Sequence, residues 1–317
     1  MTFHNDKLSS EPGSFLADST VDPVRPGKGT NVMRAAAKLE RHPRLCARPS
    51  VSVVLGSMNR LHFLKAAIAS VRQELSELGG EILVVDGGST DGSIEWLVQQ
   101  ADIITIVQRN RAEVNGVAMR RRSWGSFMNM AFRSAAADLV LMISDDCLLL
   151  PGAISAAVER IEAARKAGLR VGACAFYFRN WPDEQRYYVQ RTLGGNLMVN
   201  HGVYVREALE AVGYADEDQY VFYKADTDLS LKIWEAGFQI IDSPQSICEH
   251  YLDPAEAARI SNNELMDFDR GVMRHCWPAL VSKPSVAKMG KAYLDTTPGE
   301  EALRTWGPLV RASVAGA

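Results

Sequence analysis

The chain has 317 residues, of which 47% are hydrophobic, 8% aromatic and 23% charged. This is ordinary globular composition and excludes collagen, coiled coil and wholesale disorder. Its 35 basic and 38 acidic side chains leave a formal net charge of -3, so no strong global field steers it onto nucleic acid or an acidic membrane.

The first 50 residues stand apart. They hold five of the 13 prolines and a surplus of basic groups worth +3, leaving the remainder at about -6. They read as an irregular arm with a short helix at 33–41. Order is expected from Val51, where the β-branched run 51–55 ends at Gly56 as a buried strand does. Leu61, Leu64, Ile68, Val71 and Leu75 then recur at spacings of three and four, one face of an amphipathic helix. Gly79-Gly80 stops it, and 81–85 reads as a second strand. A Gly/Ser/Asp turn, a helix near 93–100 and a third strand at 103–107 follow.

Residues 108–122 are polar and without period. A helix near 123–136 leads into the apolar strand 139–143. Strand, helix, strand, helix, strand is the pattern of a parallel sheet with covering helices, in which ligands bind at the carboxyl ends of the strands. Past Pro151 a helix is expected to about 167 and a strand at 171–177. A mixed stretch follows, with 187–190, Gly194-Gly195-Asn196 and an extended 197–200. A helix should run from near Asp226 to Gly237, then strands at 238–241 and 246–250. Residues 254–317 read as helical and then irregular, with no chemistry that stands out.

The five cysteines (Cys46, Cys147, Cys174, Cys248, Cys276) are odd in number and show no CxxC spacing. That argues against a disulfide framework or structural zinc and favours a reducing cytoplasm. No apolar run reaches the roughly 18 residues that a membrane span needs. Asp6, Lys7 and Glu11 sit where a signal peptide would have its apolar core. A cytoplasmic chain is expected, with peripheral attachment to the inner membrane face left open.

Four constellations carry candidate chemistry. Asp86-Gly-Gly-Ser-Thr-Asp91-Gly-Ser93 lies between a strand and a helix. There Asp86, at the strand tip, is placed to meet a base or ribose, whereas Asp91 or Ser93 reads better as a helix cap. Ser144-Asp145-Asp146-Cys147 ends an apolar strand. Two adjacent carboxylates need a cation or donors to offset their charge, and oxygen ligands suit Mg²⁺ or Mn²⁺; the competing reading is a capped turn. Lys224-Ala-Asp226-Thr-Asp228 opens a helix, so one acid is expected as a cap and the other is free to act as a base. Cys248-Glu-His250-Tyr ends a late strand, and its imidazole is either structural or the completion of a metal site begun by Asp146.

In this order the pieces resemble the family 2 glycosyltransferases. Ser57-Met58-Asn59-Arg60 is similar to that family's "TYNR" segment, Val84-Val85-Asp86-Gly-Gly-Ser-Thr-Asp-Gly92 to "VDDGSTDG", and Ala137-Asp138 through Ser144-Asp145-Asp146 to "GDYVLFLDAD", which ends in the DXD motif. Gly194-Gly195-Asn196 resembles the small-residue acceptor segment. Ala225-Asp226-Thr-Asp228-Leu with Ala236-Gly-Phe238 resembles "EDxDLxLR…AGY". Gly56, Met58, Gly87, Ser144 and Ala225 depart from the family pattern.

The resemblance implies a GT-A fold: an α/β, Rossmann-like, mostly parallel sheet flanked by helices, with a mixed acceptor-side half. The implied domain spans 51–253, split near 150, with 254–317 as a helical extension. It implies inverting transfer from a nucleotide sugar to a glycan, lipid-linked glycan or other hydroxyl acceptor, with no nucleic acid partner. Donor contacts fall at Ser57, Asn59, Arg60, Asp86 and Asp145. Asp146 and His250 would hold Mn²⁺ or Mg²⁺, Asp226 would be the general base, and Gly195, Asn196, Asp228 and Trp181 would lie on the acceptor side. Trp124, Tyr187 and Tyr188 are placed either in an acceptor groove or in the core. The competing reading, motivated by Ser144, Gly87 and Ala225, is a non-catalytic nucleotide-sugar or glycan-binding relative. A nucleotidyltransferase is disfavoured because no glycine-rich basic loop precedes the sheet.

Overall fold

The computed structural model describes residues 50–110, 113–119, 121–252, 265–282, 289–295 and 304–308. All belong to one compact unit spanning Ala47–Ala317. The expected arm and its helix at 33–41 lie outside the described residues, Ser50 excepted. In chain order the first half contains β1 (Val51–Ser57), α1 (Leu61–Leu78), β2 (Gly80–Asp86), α2 (Ser93–Leu97), β3 (Ile103–Val107), β4 (Glu113–Val114), β5 (Val117–Ala118), α3 (Trp124–Ser134), β6 (Leu139–Ser144) and β7 (Cys147–Leu149). The second contains α4 (Ala153–Lys166), β8 (Val171–Trp181), β9 (Tyr188–Arg191), β10 (Gly202–Val205), α5 (Arg206–Ala211), α6 (Ala225–Glu235), β11 (Gln239–Tyr251), α7 (Met266–Cys276), α8 (Pro278–Val281) and β12 (Gly290–Tyr293).

The unbroken apolar runs of β1, β2 and β6 are buried on both faces, which is what interior strands of a parallel sheet require. β1 pairs in parallel with β2 and β6, and β2 with β3. The register sets Ser57 beside Asp86 and Gly56 beside Ser144, so three polar tips emerge together at the carboxyl end of the sheet. α3 covers β1 and β2, while α1 packs on β7 and α4. Leu64, Ile68 and Val71, on the periodic face of α1, are fully buried. Gly56 marks the close approach of α3, because a Cβ there would come within 2.8 Å of Phe127 Cε1.

The second half is the mixed part. β10 runs antiparallel between β6 and β8. β10 and α5 had no counterpart in the sequence reading, nor did β7. The two late strands expected at 238–241 and 246–250 are one strand, β11, with irregular register between Ser243 and Ile247. β11 lies parallel to β8, and its far end turns antiparallel to β7, setting His250 opposite Cys147. Among the described residues beyond 253, α7 and α8 are helical as read, and β12 had no counterpart in the sequence reading. β12 adds a strand to the sheet edge against β9, and α7 carries the buried Asp269, whose carboxylate accepts the backbone N–H groups of Val221, Phe222 and Tyr223 at 2.7–2.9 Å. No helix among the described residues is long and apolar enough to cross a membrane. The four described cysteines are unbridged.

Candidate active site

The loop after β1 and the loop after β2 are stitched together. Asn59 adopts φ 54°, a left-handed conformation that Asn tolerates better than most residues. Its backbone N–H donates to Ser89 Oγ at 2.8 Å, and its side-chain oxygen accepts the Thr90 N–H at 2.7 Å. Asp91 accepts from the Leu61 N–H, the Ser93 N–H and the Ser93 hydroxyl, so one carboxylate caps the starts of both α1 and α2. Partial burial works to raise its pKa, but these hydrogen bonds outweigh that and hold the carboxyl below its ordinary value. Asp86 is closed rather than open. It is fully buried, and it accepts from the N–H groups of Gly88 and Ser89 and from the Ser89 hydroxyl, all at 2.7–2.8 Å. The donors of its own turn hold this carboxylate. Ser57, beside it, is 4% exposed.

Arg60 supplies the offset that the paired carboxylates require. Its Nη1 donates to Asp145 Oδ1 at 2.6 Å and its Nη2 to Asp146 Oδ2 at 2.7 Å. The fork thus bridges two residues instead of gripping one. The guanidinium lies 5.7 Å from the centre of the Phe63 ring. Both aspartates are only 2% exposed.

The other face of Asp146 meets β11. His250 Nε2 stands 3.4 Å from Asp146 Oδ1, and the Tyr251 N–H donates to the Asp146 carbonyl at 2.9 Å. The histidine tautomer follows from its neighbours. Asn180 directs its Nδ2 to Glu184 Oε2 and to the Tyr188 hydroxyl, which turns its Oδ1 toward His250 Nδ1 at 2.7 Å. Nδ1 therefore serves as the donor to Asn180, and Nε2 is the ring atom that faces the carboxylate oxygen. A ring nitrogen and a carboxylate oxygen facing one another, with a second partner fixing the imidazole, are two groups of the kind that ligate cations. Glu184 is in turn ion-paired with Lys291 of β12. Among the described residues no group of three or more His, Cys, Asp or Glu is placed to hold a metal. The pair fits a divalent ion of the kind that completes its shell with substrate phosphates and water.

Asp226 and Asp228 part company. Asp226, in the first turn of α6, is half-buried. Its Oδ1 accepts the Thr227 N–H at 2.7 Å and its Oδ2 accepts from Asn200 Nδ2 at 3.1 Å. The next residue, His201, lies with its ring 5.3 Å from that of His250 and touches the Cys147 sulfur. Burial pushes the Cys147 thiol well up, which leaves it a neutral packing group. Asp226, Asn200, His201, His250 and Asp146 thus form one continuous run of neighbours. Asp228 points inward instead. It is 5% exposed and its Oδ1 accepts from Trp277 Nε1 at 2.8 Å and from the Tyr220 hydroxyl at 3.2 Å. Burial raises its pKa above the ordinary value, against the opposing pull of Trp277, Lys232 and Tyr220. Asp228 thereby ties α6 to the α7–α8 turn.

The remaining acceptor-side residues are spread out. Gly195 and Asn196 sit on a short turn between β9 and β10, held by Arg191 Nη1 on the Gly195 carbonyl and the Thr192 N–H on the Asn196 carbonyl. Trp181 is half-buried, 5.7 Å from Tyr251. Tyr187 and Tyr188 are core residues, 1% and 0% exposed. Sequence reasoning missed Asn180 and Asn200, whose links to His250 and Asp226 join positions distant in the chain. It also missed the buried Arg179–Glu249 pair, with two contacts of 2.7 Å. Trp306 was missed too; it stacks on Tyr251 behind the site at 5.6 Å and 28°.

A family profile, Glycosyl transferase family 2, matches residues 52–211, just over half of the chain. The chain belongs to glycosyl transferase family 2. Within this family 2 chain, the matched span holds the strand-end site up to Asp146 together with Asn180 and Asn200; Asp226 and His250 lie beyond it. An uncharacterized protein of Sinorhizobium fredii, y4gI, is 23% identical over 237 residues, covering 64% of this chain and 24% of that protein. Among solved structures, the mannosyltransferase PcManGT from Pyrobaculum calidifontis, in complex with GDP-Man and Mn²⁺, shares the fold with a TM-score of 0.52. It is 19% identical, over 72% of this chain and 65% of that one. S. aureus TarS matches with a TM-score of 0.52 and 14% identity, over 74% of this chain and 40% of that one. The chain thus spans less than two thirds of each of these relatives.

Proposed function

We propose that this glycosyltransferase moves a sugar from a nucleoside-diphosphate sugar to an acceptor hydroxyl in one displacement, inverting the anomeric configuration. The observation that carries the reading is the facing of Asp146 Oδ1 and His250 Nε2 at 3.4 Å, with Asn180 fixing the tautomer. Asp146 and His250 would hold Mn²⁺ or Mg²⁺. Bound there, the ion would offset the charge of the departing diphosphate. The GDP-Man and Mn²⁺ of the Pyrobaculum relative support a donor and a cation of this kind.

The chain's own groups do the rest. Arg60 keeps Asp145 and Asp146 in a fixed fork, so Asp146 Oδ1 stays directed at His250. The turn that Asp86 closes, with Asn59 laced into it, makes a rigid wall beside Ser57 for the nucleotide. Asp226 takes the proton of the acceptor hydroxyl as the oxygen attacks. Asn200 donates to one carboxylate oxygen and Thr227 to the other, which sets the direction of the base. Gly195, Asn196 and Trp181 remain the proposed acceptor-side contacts.

The test is release of nucleoside diphosphate from a panel of nucleotide sugars, with hydroxyl acceptors and Mn²⁺ supplied, for the parent and Asp226→Asn. Turnover by the parent that is lost in the variant supports the reading. Equal turnover in both removes Asp226 as the base. Saturable donor binding without turnover identifies a binding relative instead.

A further inference from the structure

One exposed element does no work inside the fold. β4 and β5 form a hairpin around Asn115-Gly116, both at positive φ, 54° and 76°, the two-residue turn that matches strand twist. Val114 faces Val117 across the ladder, and Met119 lies two residues beyond Val117, so all three share one face. They are 53%, 65% and 54% exposed. A lone two-stranded hairpin is marginal in water, and an apolar face presented this way is expected to meet a partner.

The flanking sequence specifies that partner. Residues 109–122 contain Arg109, Arg111, Arg120, Arg121 and Arg122 against one acid, Glu113, a local +4 in a chain of -3. An apolar tip within a basic collar is complementary to an anionic bilayer. Arg121 lies over the Phe222 ring, whereas Arg109 and Arg122 are exposed; acyl chains receive the aliphatic side chains and lipid phosphates receive these exposed guanidiniums. The hairpin also leaves the carboxyl end of β3. The Gln108 and Asn110 N–H groups donate to the carbonyls of Asp86 and Gly87, so the loop is fastened to the turn beside the site. We infer that the 113–119 hairpin docks on an anionic lipid surface and holds the carboxyl-end face of the sheet close to it. This stands independently of the reaction proposed above.

The test is sedimentation of the full chain with vesicles of mixed phosphatidylglycerol and phosphatidylcholine, and with phosphatidylcholine alone. The parent should bind the anionic vesicles at least about tenfold more tightly, with binding weakened by salt. Combined Val114→Ser, Val117→Ser and Met119→Ser should lose about tenfold or more. Arg122→Glu, a second variant at an exposed site, should lose binding without touching the apolar face. No binding of the parent to anionic vesicles at low salt overturns the inference. So does a serine variant that binds as the parent does. A parent that is dimeric by light scattering and becomes monomeric with the serine substitutions, with no vesicle binding, reassigns the face to self-association.

Discussion

At the end of β6, Asp145 and Asp146 are adjacent and share one guanidinium. At the start of α6, Asp226 and Asp228 are two apart and share nothing. The difference is geometric. A strand end leaving the sheet lets consecutive side chains converge on a common partner, here Arg60. A helix turns about 200° over two residues, so Asp226 meets Asn200 while Asp228 enters the core against Tyr220 and Trp277. Two acidic pairs that read alike as strings are one site and one site plus one brace.

Substitutions can break that comparison. The largest effect is expected at Asp226→Asn, which keeps shape and removes the proposed base. Turnover in a diphosphate-release assay should fall by about 10²–10⁴-fold, with donor affinity by calorimetry unchanged. Next is Glu249→Gln, behind the site, which leaves Arg179 buried beside a neutral amide; urea unfolding should show a loss of about 3–5 kcal/mol. Asn180→Ala releases the imidazole from its fixed tautomer. Mn²⁺ affinity, followed by electron paramagnetic resonance, should weaken about 10–100-fold while the melting temperature moves little.

The smallest effect is expected at Asp228→Asn. Both donors reach Oδ1, and an amide oxygen can accept from both, so stability at neutral pH should change by less than about 1 kcal/mol. The pH profile is the more telling readout for this acid. The folded pKa of Asp228 is raised, so the folded state binds the proton more tightly than the unfolded chain does. Its stabilising contribution is complete below the ordinary carboxyl value of 3.8 and is lost as pH rises from there through the raised value. Denaturation across that window should slope less in the Asn variant. An identical slope removes Asp228 from the account.

Legibility follows the same division. The parallel half could be read because each strand is a short, mostly apolar run and each long helix a periodic stripe, so its polar tips fall where a parallel sheet puts them. The mixed half depends on pairings that no local pattern encodes. β10 is four residues long, and β11 crosses an irregularity at Ser243–Ile247 to reach β7. That Asp86 is held by its own turn is a matter of hydrogen-bond geometry; the residue type alone does not carry it. The β4–β5 hairpin is different, since Asn115-Gly116 is a strong local turn signal and was passed over amid polar neighbours.

Asp269 has a consequence for the order in which the chain is made. Synthesis completes β1, β2, β3 and β6, with Arg60, Asp145 and Asp146, long before residue 269 is added. Until then the N–H groups of Val221, Phe222 and Tyr223, just ahead of α6, lack the carboxylate that accepts all three. The loop that delivers Asp226 is therefore finished by a residue downstream of the helix it introduces. A nascent chain can hold the paired strands of the parallel half while the proposed base still waits for its anchor.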